Sequence, residues 1–130
     1  MAEHPNAALL RKGYEAFNKG DMATLRELFT ENVVWHIPGN NPLSGEHRGR
    51  DAVFAMFART AELSGGTYRI ELHDVLANDE HAVALSRATA SRQGRQLDSS
   101  DVQVYHVSNG KITEAWSLAL DQRVTDQFWS

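Results

Sequence analysis

Two side chains of this sequence combine the chemistry of a general base with a position on an apolar strand, His36 and Asp101. His36 lies in residues 33–39, Val-Val-Trp-His-Ile-Pro-Gly, an apolar run that predicts a buried strand ended by a Pro-Gly pair. Because an imidazole titrates near neutral pH, His36 is a candidate catalytic base. The alternative is a strand histidine that is hydrogen-bonded at the surface or to the backbone.

Asp101 lies on a second predicted strand, residues 97–107, in which three other polar side chains stand at every second position. Since successive side chains of a strand point to opposite faces, Ser99, Asp101, Gln103 and Tyr105 share one face. If this face points inward, Asp101 is a candidate catalytic base and Gln103 a candidate hydrogen-bond donor to a substrate. If it points outward, the same residues form a polar seam between two copies of the chain.

Three aromatic residues are candidates for substrate binding, Tyr14, Trp35 and Trp116. Tyr14 lies on the apolar face of the predicted first helix, so its ring packs in the core and its hydroxyl can reach a cavity. Trp35 forms either a cavity wall or plain core. Trp116, on the last predicted strand, has the same two alternatives as the face of Asp101, inward to the cavity or outward to a second copy of the chain.

The composition and the motifs exclude several kinds of site. The six histidines show no close ligand spacing and no His-Glu-x-x-His pattern, so no metal site is predicted. The chain has no Gly-x-Ser-x-Gly nucleophile elbow, so no nucleophilic serine is predicted. It has no phosphate-binding glycine loop, and no cofactor is predicted. It has no cysteine for thiolate chemistry, and a net charge of −4 without a basic block argues against nucleic acid as a partner.

Helices that could position these residues are predicted in the first half of the chain. Apolar residues recur at helical spacing between Pro5 and Gly20, which are residue types that begin and end helices. Asp21 is a candidate N-cap for a short second helix. A third helix begins near Asp51 and ends at Gly65.

The second half of the chain changes to the alternating pattern of strands. Between residues 68 and 120, apolar and polar residues alternate, with breaks at Asn78-Asp79, Gln93-Gly94 and Asn109-Gly110. This pattern predicts a meander of four antiparallel strands, with the strand of residues 33–39 at one edge and a loop over residues 40–49. We therefore predict a single α+β domain over residues 1–130, with a curved antiparallel sheet and three N-terminal helices.

Both faces of the predicted strands are partly apolar, although an antiparallel sheet with one face in water usually alternates more cleanly. In residues 97–107, Val102 and Val104 lie on one face, whereas Leu97 and Val107 lie on the other. One face packs against the helices. We predict that the other face binds a second copy of the chain and forms a sheet-to-sheet homodimer.

Several short motifs together resemble the SnoaL-like branch of the nuclear-transport-factor-2-like superfamily. Ala-Phe-Asn-Lys-Gly-Asp (residues 16–21) and Val-Val-Trp-His (33–36) resemble its opening, and Gly-Arg-Asp-Ala-Val (49–53) its third helix. Val-Tyr-His-Val-Ser-Asn-Gly-Lys-Ile-Thr-Glu-Ala-Trp (104–116) resembles its last hairpin. The resemblance implies a cone of curved sheet, closed by three helices around a deep apolar cavity and usually found in a homodimer.

The resemblance also allows the catalytic residues of a known relative, ketosteroid isomerase, to be compared with this chain. The base of that enzyme falls near Ile37, which cannot accept a proton, so Ile37 is predicted only to contact the substrate. Its helix tyrosine falls one residue before Tyr14. Its oxyanion-hole aspartate falls near Gln103, which favours an inward orientation for the face that carries Asp101. The resemblance therefore implies the scaffold and not this activity.

Two classes of function follow from these observations. The first is a cofactor-independent acid–base enzyme (isomerase, cyclase or hydrolase) on a small apolar molecule such as a polyketide, steroid or terpenoid. It would use His36 or Asp101 as base and Tyr14 or Gln103 as donor. The second is a non-catalytic ligand-binding or dimerisation module with the same cavity. No apolar run reaches the ~20 residues that span a membrane and no secretory signal is visible, so a cytoplasmic domain is predicted.

Overall fold

The structure, a computed structural model, describes residues 3–130, and these form four helices and six strands. The helices are α1 (Pro5–Lys19), α2 (Met22–Leu28), α3 (Arg50–Leu63) and α4 (Gln122–Trp129). The strands are β1 (Phe29–Ile37), β2 (Gly45–Arg48), β3 (Arg69–Ala77), β4 (His81–Arg92), β5 (Arg95–Ser108) and β6 (Lys111–Ala119). The predicted α+β class is confirmed.

The boundary between α1 and α2 is set by two adjacent residues, as the sequence predicts. α1 ends at Gly20, which has a left-handed φ of 73° that favours glycine. The next residue, Asp21, caps α2, because its carboxylate accepts a hydrogen bond of 3.2 Å from the backbone N–H of Thr24. These two residues turn the chain from α1 into α2.

The strands form one curved sheet in the order β2-β1-β6-β5-β4-β3. Strands β3 to β6 are the predicted antiparallel meander, and the β5–β6 turn contains Asn109, whose φ is 52°. β1 pairs with β6 in parallel, so this part of the sheet is mixed rather than purely antiparallel. The long connection allows the parallel pairing, since α3 and four strands separate β1 from β6 in the chain.

Two elements lie outside the predicted set. Residues 40–49, predicted to be a loop, contain β2, which pairs antiparallel with β1 from Val34↔Arg48 to Ile37↔Gly45. α4 adds a fourth helix at the C-terminus, and the carboxylate of Asp121 caps it by accepting from the N–H of Val124. Both elements lie near the C-terminal end of β1: β2 pairs with that end, and α4 bonds the loop that follows it.

The main hydrophobic core lies between the helices and one face of the sheet, which we call the inner face. Leu10 of α1, Val53 of α3 and Val33 of β1 are at most 1% exposed there. A smaller apolar cluster joins α4 to the sheet through Leu97, Phe128 and Trp129. Among the described residues, no helix is both long and apolar enough to cross a membrane.

Candidate functional site

A pocket opens between the inner face of the sheet and helices α1, α3 and α4. Its volume is about 140 Å³, which is close to the ~150 Å³ of an engineered cavity that holds benzene. Most of its wall is apolar, with aromatic side chains from Phe17, Phe29, Trp35, Phe57 and Trp129. The space and the wall suit a molecule of one or two rings.

Five of the predicted site residues line this pocket, Tyr14, Trp35, Ile37, Asp101 and Gln103. They come from three separate elements, α1, β1 and β5, which the sheet order brings around one space. Whether these five residues act on a substrate remains a prediction.

His36 and Trp116 lie on the opposite face of the sheet and do not line the pocket. Their rings stack with centroids 5.1 Å apart and an angle of 12° between the planes. Because side chains alternate along a strand, His36 must point away from the pocket when Trp35 and Ile37 point into it. This placement contradicts the predicted roles of His36 as a base and of Trp116 as a binding residue inside the pocket.

Asp101 lies on the inner face of β5, the inward orientation of the two that the sequence left open. Burial raises the pKa of its carboxyl group, and a hydrogen bond from the hydroxyl of Ser99 offsets part of that rise. A carboxylate with a raised pKa is a stronger base than the same group in water. Asp101 therefore has the environment that a general base needs.

Gln103 is held in place by two hydroxyl groups. Its Oε1 accepts hydrogen bonds from the hydroxyls of Tyr14 and Ser86, each at 2.9 Å. Since the single hydroxyl proton of Tyr14 is used there, Tyr105 donates to Tyr14 over 2.6 Å. Burial raises the pKa of both tyrosines, so both hydroxyls keep their protons at neutral pH. The network fixes the orientation of the Gln103 amide.

The Nε2 group of Gln103 has no hydrogen-bond acceptor among residues 3–130. The side chain is 5% exposed and lines the pocket, and its Oε1 is already bonded, so we take its N–H groups to face the pocket. Its Nε2 is not among the fully buried atoms that lack a partner, so it is open to the pocket, where an oxygen atom of a bound molecule can accept from it.

Tyr68 also lines the pocket, although it is not among the predicted site residues. It lies between α3 and β3, and its ring packs against Phe17 and Trp129 with centroid distances of 6.0 and 5.9 Å. Burial raises the pKa of its hydroxyl, and the charge of Asp101 raises it further. In the sequence Tyr68 is only the first residue of an alternating stretch, a pattern that does not mark a pocket residue.

The loop after β1 and helix α4 form one side of the pocket, where Pro38, Leu43, Gln122 and Thr125 belong to its lining. Asp126 of α4 accepts hydrogen bonds from the backbone N–H of Asn40 at 3.0 Å and from Nδ2 of Asn41 at 2.7 Å. Gly39 has a φ of 87°, and a Cβ atom there would lie 2.4 Å from Oδ1 of Asp126. The loop can approach α4 this closely only because residue 39 is glycine.

Two arginines from the β4–β5 hairpin hold the C-terminal end of α4. Arg95 donates hydrogen bonds to the backbone carbonyls of Gln127 and Phe128, and Arg92 donates to that of Ser130 over 2.7 Å. Cationic side chains at this end of a helix also interact favourably with its dipole. The hairpin and the loop after β1 thus hold α4 from both sides.

The face opposite the pocket, which we call the outer face, is apolar and rich in imidazole. Its residues on β1, β4, β5 and β6 are cross-strand neighbours: Val34, His36, Val83, Leu85, Val102, Val104, His106, Glu114, Trp116 and Leu118. Glu114 lies between two imidazoles, 2.6 Å from Nε2 of His36 and 3.7 Å from Nδ1 of His106. Residues 3–130 contain no group of three His, Asp or Glu side chains arranged to hold a metal ion.

The polar groups of the pocket define the chemistry that it can support. Asp101 supplies a base, and the amide of Gln103 supplies hydrogen-bond donors. The lining within the described part of the chain includes no Lys, Arg or His. An anionic ligand would therefore meet the Asp101 carboxylate without a compensating cation, whereas an uncharged ligand with an oxygen acceptor would match the donors.

Comparison with known proteins gives a family match and relatives over the whole chain. The sequence of residues 10–115 matches the SnoaL-like domain. The uncharacterised protein Rv0034 of Mycobacterium tuberculosis (strain H37Rv) is 35% identical over 131 residues, which cover 100% of both chains.

Solved structures share the fold. Bal32a, from a soil-derived mobile gene cassette, superposes with a TM-score of 0.94 at 41% identity, covering 97% of each chain. TerC, which was co-crystallised with polyporic acid, superposes with a TM-score of 0.85 at 18% identity, covering 96% of this chain and 98% of its own. The likeness to TerC, at that identity, concerns the fold alone.

Proposed function

The chain belongs to the family of SnoaL-like domains, and from this premise we propose that it is a cofactor-independent acid–base enzyme. It binds a small, uncharged ring compound in the pocket and removes a proton from a carbon atom next to a carbonyl group. Asp101 is the base, and Gln103 is a donor to the carbonyl oxygen. This is the step with which isomerisation or cyclisation of an enolisable compound begins.

The observation that carries the proposal is the pairing of a half-buried base with an unpaired donor on one strand face. Asp101 and Gln103 are two residues apart on β5 and both line the pocket. The hydroxyls of Tyr14 and Ser86 hold the amide oxygen of Gln103, which leaves its N–H groups for a ligand. A base beside a preorganised donor is the arrangement that stabilises an enolate.

The proposed step balances without a cofactor. The Asp101 carboxylate takes a proton from the α-carbon of the ketone, so the C–H bond breaks and its electron pair forms a carbon–carbon double bond. The π electrons of the carbonyl move to the oxygen, which accepts a hydrogen bond from Nε2 of Gln103. Return of the proton from Asp101 to another carbon completes an isomerisation. In a cyclisation the enolate carbon attacks a second carbonyl carbon, and the resulting alkoxide takes the proton back from Asp101.

The substrate class follows from the size and the charge of the pocket. A volume of about 140 Å³ favours one or two rings over a four-ring steroid, and the apolar, aromatic wall favours burial of a ring. Small polyketide-like or terpenoid ketones fit these requirements.

The test uses 2-tetralone, a two-ring ketone with acidic α-hydrogens. The protein is incubated with 2-tetralone in D₂O, and deuterium uptake at the α-carbons is followed by ¹H NMR, while binding is followed by native mass spectrometry. We expect wild-type protein to accelerate exchange and Asp101→Asn to lower kcat by about 10²- to 10⁴-fold, the usual contribution of a positioned base.

The matched control is Asp98→Asn, which makes the same chemical change on an exposed aspartate of the same strand, where the carboxylate pairs with Arg87. Its exchange rate should equal that of the wild type. Binding of 2-tetralone without accelerated exchange would instead favour a non-catalytic ligand-binding module. An undiminished rate in Asp101→Asn would overturn the assignment of Asp101 as the base.

We also propose that the outer face binds a second copy of the chain, as its apolar strands predict. The area of the face supports this partner. With strands about 4.8 Å apart and a rise of about 3.3 Å per residue, its four strands of about eleven residues offer on the order of 700 Å². One partner of a standard interface contributes about 800 Å². The side chains at its centre, such as Val104 and Trp116, suit a desolvated contact.

A further inference from the structure

Tyr68 differs from the other two tyrosines of the pocket in the state of its hydroxyl group. Tyr14 donates to Gln103 and Tyr105 donates to Tyr14, whereas the Tyr68 hydroxyl has no hydrogen-bond partner within residues 3–130. The Tyr68 side chain is half-buried and lines the pocket, so this hydroxyl is open to the pocket. The Tyr68 hydroxyl is therefore free to donate a hydrogen bond to an atom of a bound ligand.

The Tyr68 ring is fixed although its hydroxyl is free. It packs against Phe17 of α1 and Trp129 of α4, and it also contacts the cluster that contains Leu97. Leu97 precedes Ser99 and Asp101 on the inner face of β5. Packing therefore holds the ring beside β5, the strand that carries the base, and no ordering of the ring is needed on binding.

We infer that Tyr68 is a second catalytic donor, whose hydroxyl hydrogen-bonds the carbonyl oxygen of the bound ketone together with Nε2 of Gln103. The inference rests on the proposed function and specifies its substrate as a compound whose carbonyl oxygen can accept from both donors. As Asp101 takes the α-proton, negative charge builds on that oxygen and both hydrogen bonds strengthen. Tyr68 keeps its proton throughout, so the proton balance of the step is unchanged.

The surroundings of Tyr68 are consistent with a donor that does not ionise. Burial and the neighbouring charge of Asp101 both raise the pKa of the hydroxyl. The phenol consequently remains protonated while Asp101 is a carboxylate. The two groups can then act at the same time, one as donor and the other as base.

The test compares two probes of nearly equal shape, 2-naphthol and naphthalene. The oxygen of 2-naphthol stands in for the enol oxygen of 2-tetralone, and naphthalene lacks it. We expect wild-type protein to prefer 2-naphthol in fluorescence titrations and Tyr68→Phe to lose roughly 3- to 10-fold of that preference, the range of one neutral hydrogen bond. Naphthalene affinity should stay unchanged, because phenylalanine keeps the ring contacts. Exchange of 2-tetralone should slow by about 10- to 100-fold, since the lost bond is to developing charge.

A matched control is Thr60→Val, which removes another hydroxyl of the pocket lining, one already bonded to the carbonyl of Met56. It should leave the probe preference intact. If neither probe binds wild-type protein and no exchange occurs, the proposed function itself fails. If wild-type protein binds and exchanges but Tyr68→Phe retains the full preference and rate, only the inference about Tyr68 is overturned. Equal losses for both probes would assign Tyr68 to packing and also overturn it.

Discussion

Asp101 is a carboxylate whose ionisation works against folding, because burial raises its pKa in the folded chain. Between the ordinary carboxyl pKa and the raised folded value, the folded state binds more protons than the unfolded state. The free energy of unfolding therefore falls as the pH rises through that window. This cost of ionising Asp101 is expected where the group has to be a base in an apolar pocket.

The first prediction concerns this pH dependence. Asp101→Asn removes the ionisation, so the free energy of unfolding of this variant should fall less from acidic to neutral pH than that of the wild type. Urea denaturation at a series of pH values measures the difference. Parallel pH profiles for the two proteins would contradict the raised pKa.

Asp98→Asn provides a control of opposite sign. The hydrogen bond from Arg87 lowers the pKa of Asp98, so its carboxylate adds stability above its ordinary pKa and loses it as the pH falls through the lowered value. The Asn variant should lose that contribution at neutral pH. The effect should be small because the pair is exposed.

Alternation along β1 explains which site residues could be predicted from the sequence. Trp35 and His36 are adjacent, so a strand cannot direct both into one pocket. Because Val33, Val34 and Ile37 make both faces apolar, the pattern does not reveal which of the two points inward. On β5, Asp101 and Gln103 are two residues apart and share one parity, so the sequence predicts them on the same face. Tyr68 directly precedes β3 and begins an alternating stretch, a pattern that does not distinguish a pocket residue from any other strand residue.

Helix α4 and the loop after β1 depend on each other for their positions. Asp126 bonds the loop at Asn40 and Asn41, and Gly39 lies against Asp126 and Gln122. The loop and the helix together form one side of the pocket. A change at their contact should therefore affect both stability and ligand binding.

The second prediction tests this contact with Gly39→Ala. The added Cβ would lie within 2.4 Å of the Asp126 carboxylate and alanine is strained at positive φ, so we expect a loss of about 2 kcal/mol in the free energy of unfolding. Binding of naphthalene should weaken as α4 shifts. Urea denaturation and fluorescence titration measure the two effects.

Gly20→Ala is the control for the backbone term. Gly20 has a φ of 73°, but no atom lies within 4 Å of a Cβ placed there, so only the strain of about 1 kcal/mol remains. Its naphthalene affinity should match the wild type. Equal losses of stability in both variants would show that the contact with α4 contributes nothing.

Local signals account for most elements that were predicted correctly. Gly20 and Asp21 mark the α1–α2 boundary, and Asn109-Gly110 marks the β5–β6 hairpin. β2 carries no such signal, because its four residues, Gly-Glu-His-Arg, are polar and owe their strand conformation to pairing with β1. α4 has only eight residues and depends on the arginines of a distant hairpin.

At the scale of the whole molecule, the outer face is the surface that we propose binds a second copy of the chain. The third prediction is that wild-type protein sediments as a dimer at micromolar concentration and that Val104→Arg sediments as a monomer. Arginine at the centre of the face would place a charge in a desolvated apolar contact, which costs several kcal/mol. Sedimentation velocity measures the species.

Ala58→Arg adds the same charge at an exposed position of α3, away from the outer face. This variant should remain dimeric, and both variants should bind naphthalene as the wild type does. A wild-type protein with the mass of a single chain at that concentration would contradict the homodimer proposal.

The parallel pairing of β1 with β6 has a consequence for how the protein is made. Trp35 and its partner Ser117 are 82 residues apart in the chain, so one wall of the pocket joins an early segment to a late one. During synthesis β1 must wait, with an apolar edge unpaired, until β6 has left the ribosome. Closure of so long a loop also slows folding. In the cell, the nascent chain is therefore exposed to aggregation and to chaperones at β1 for most of its translation.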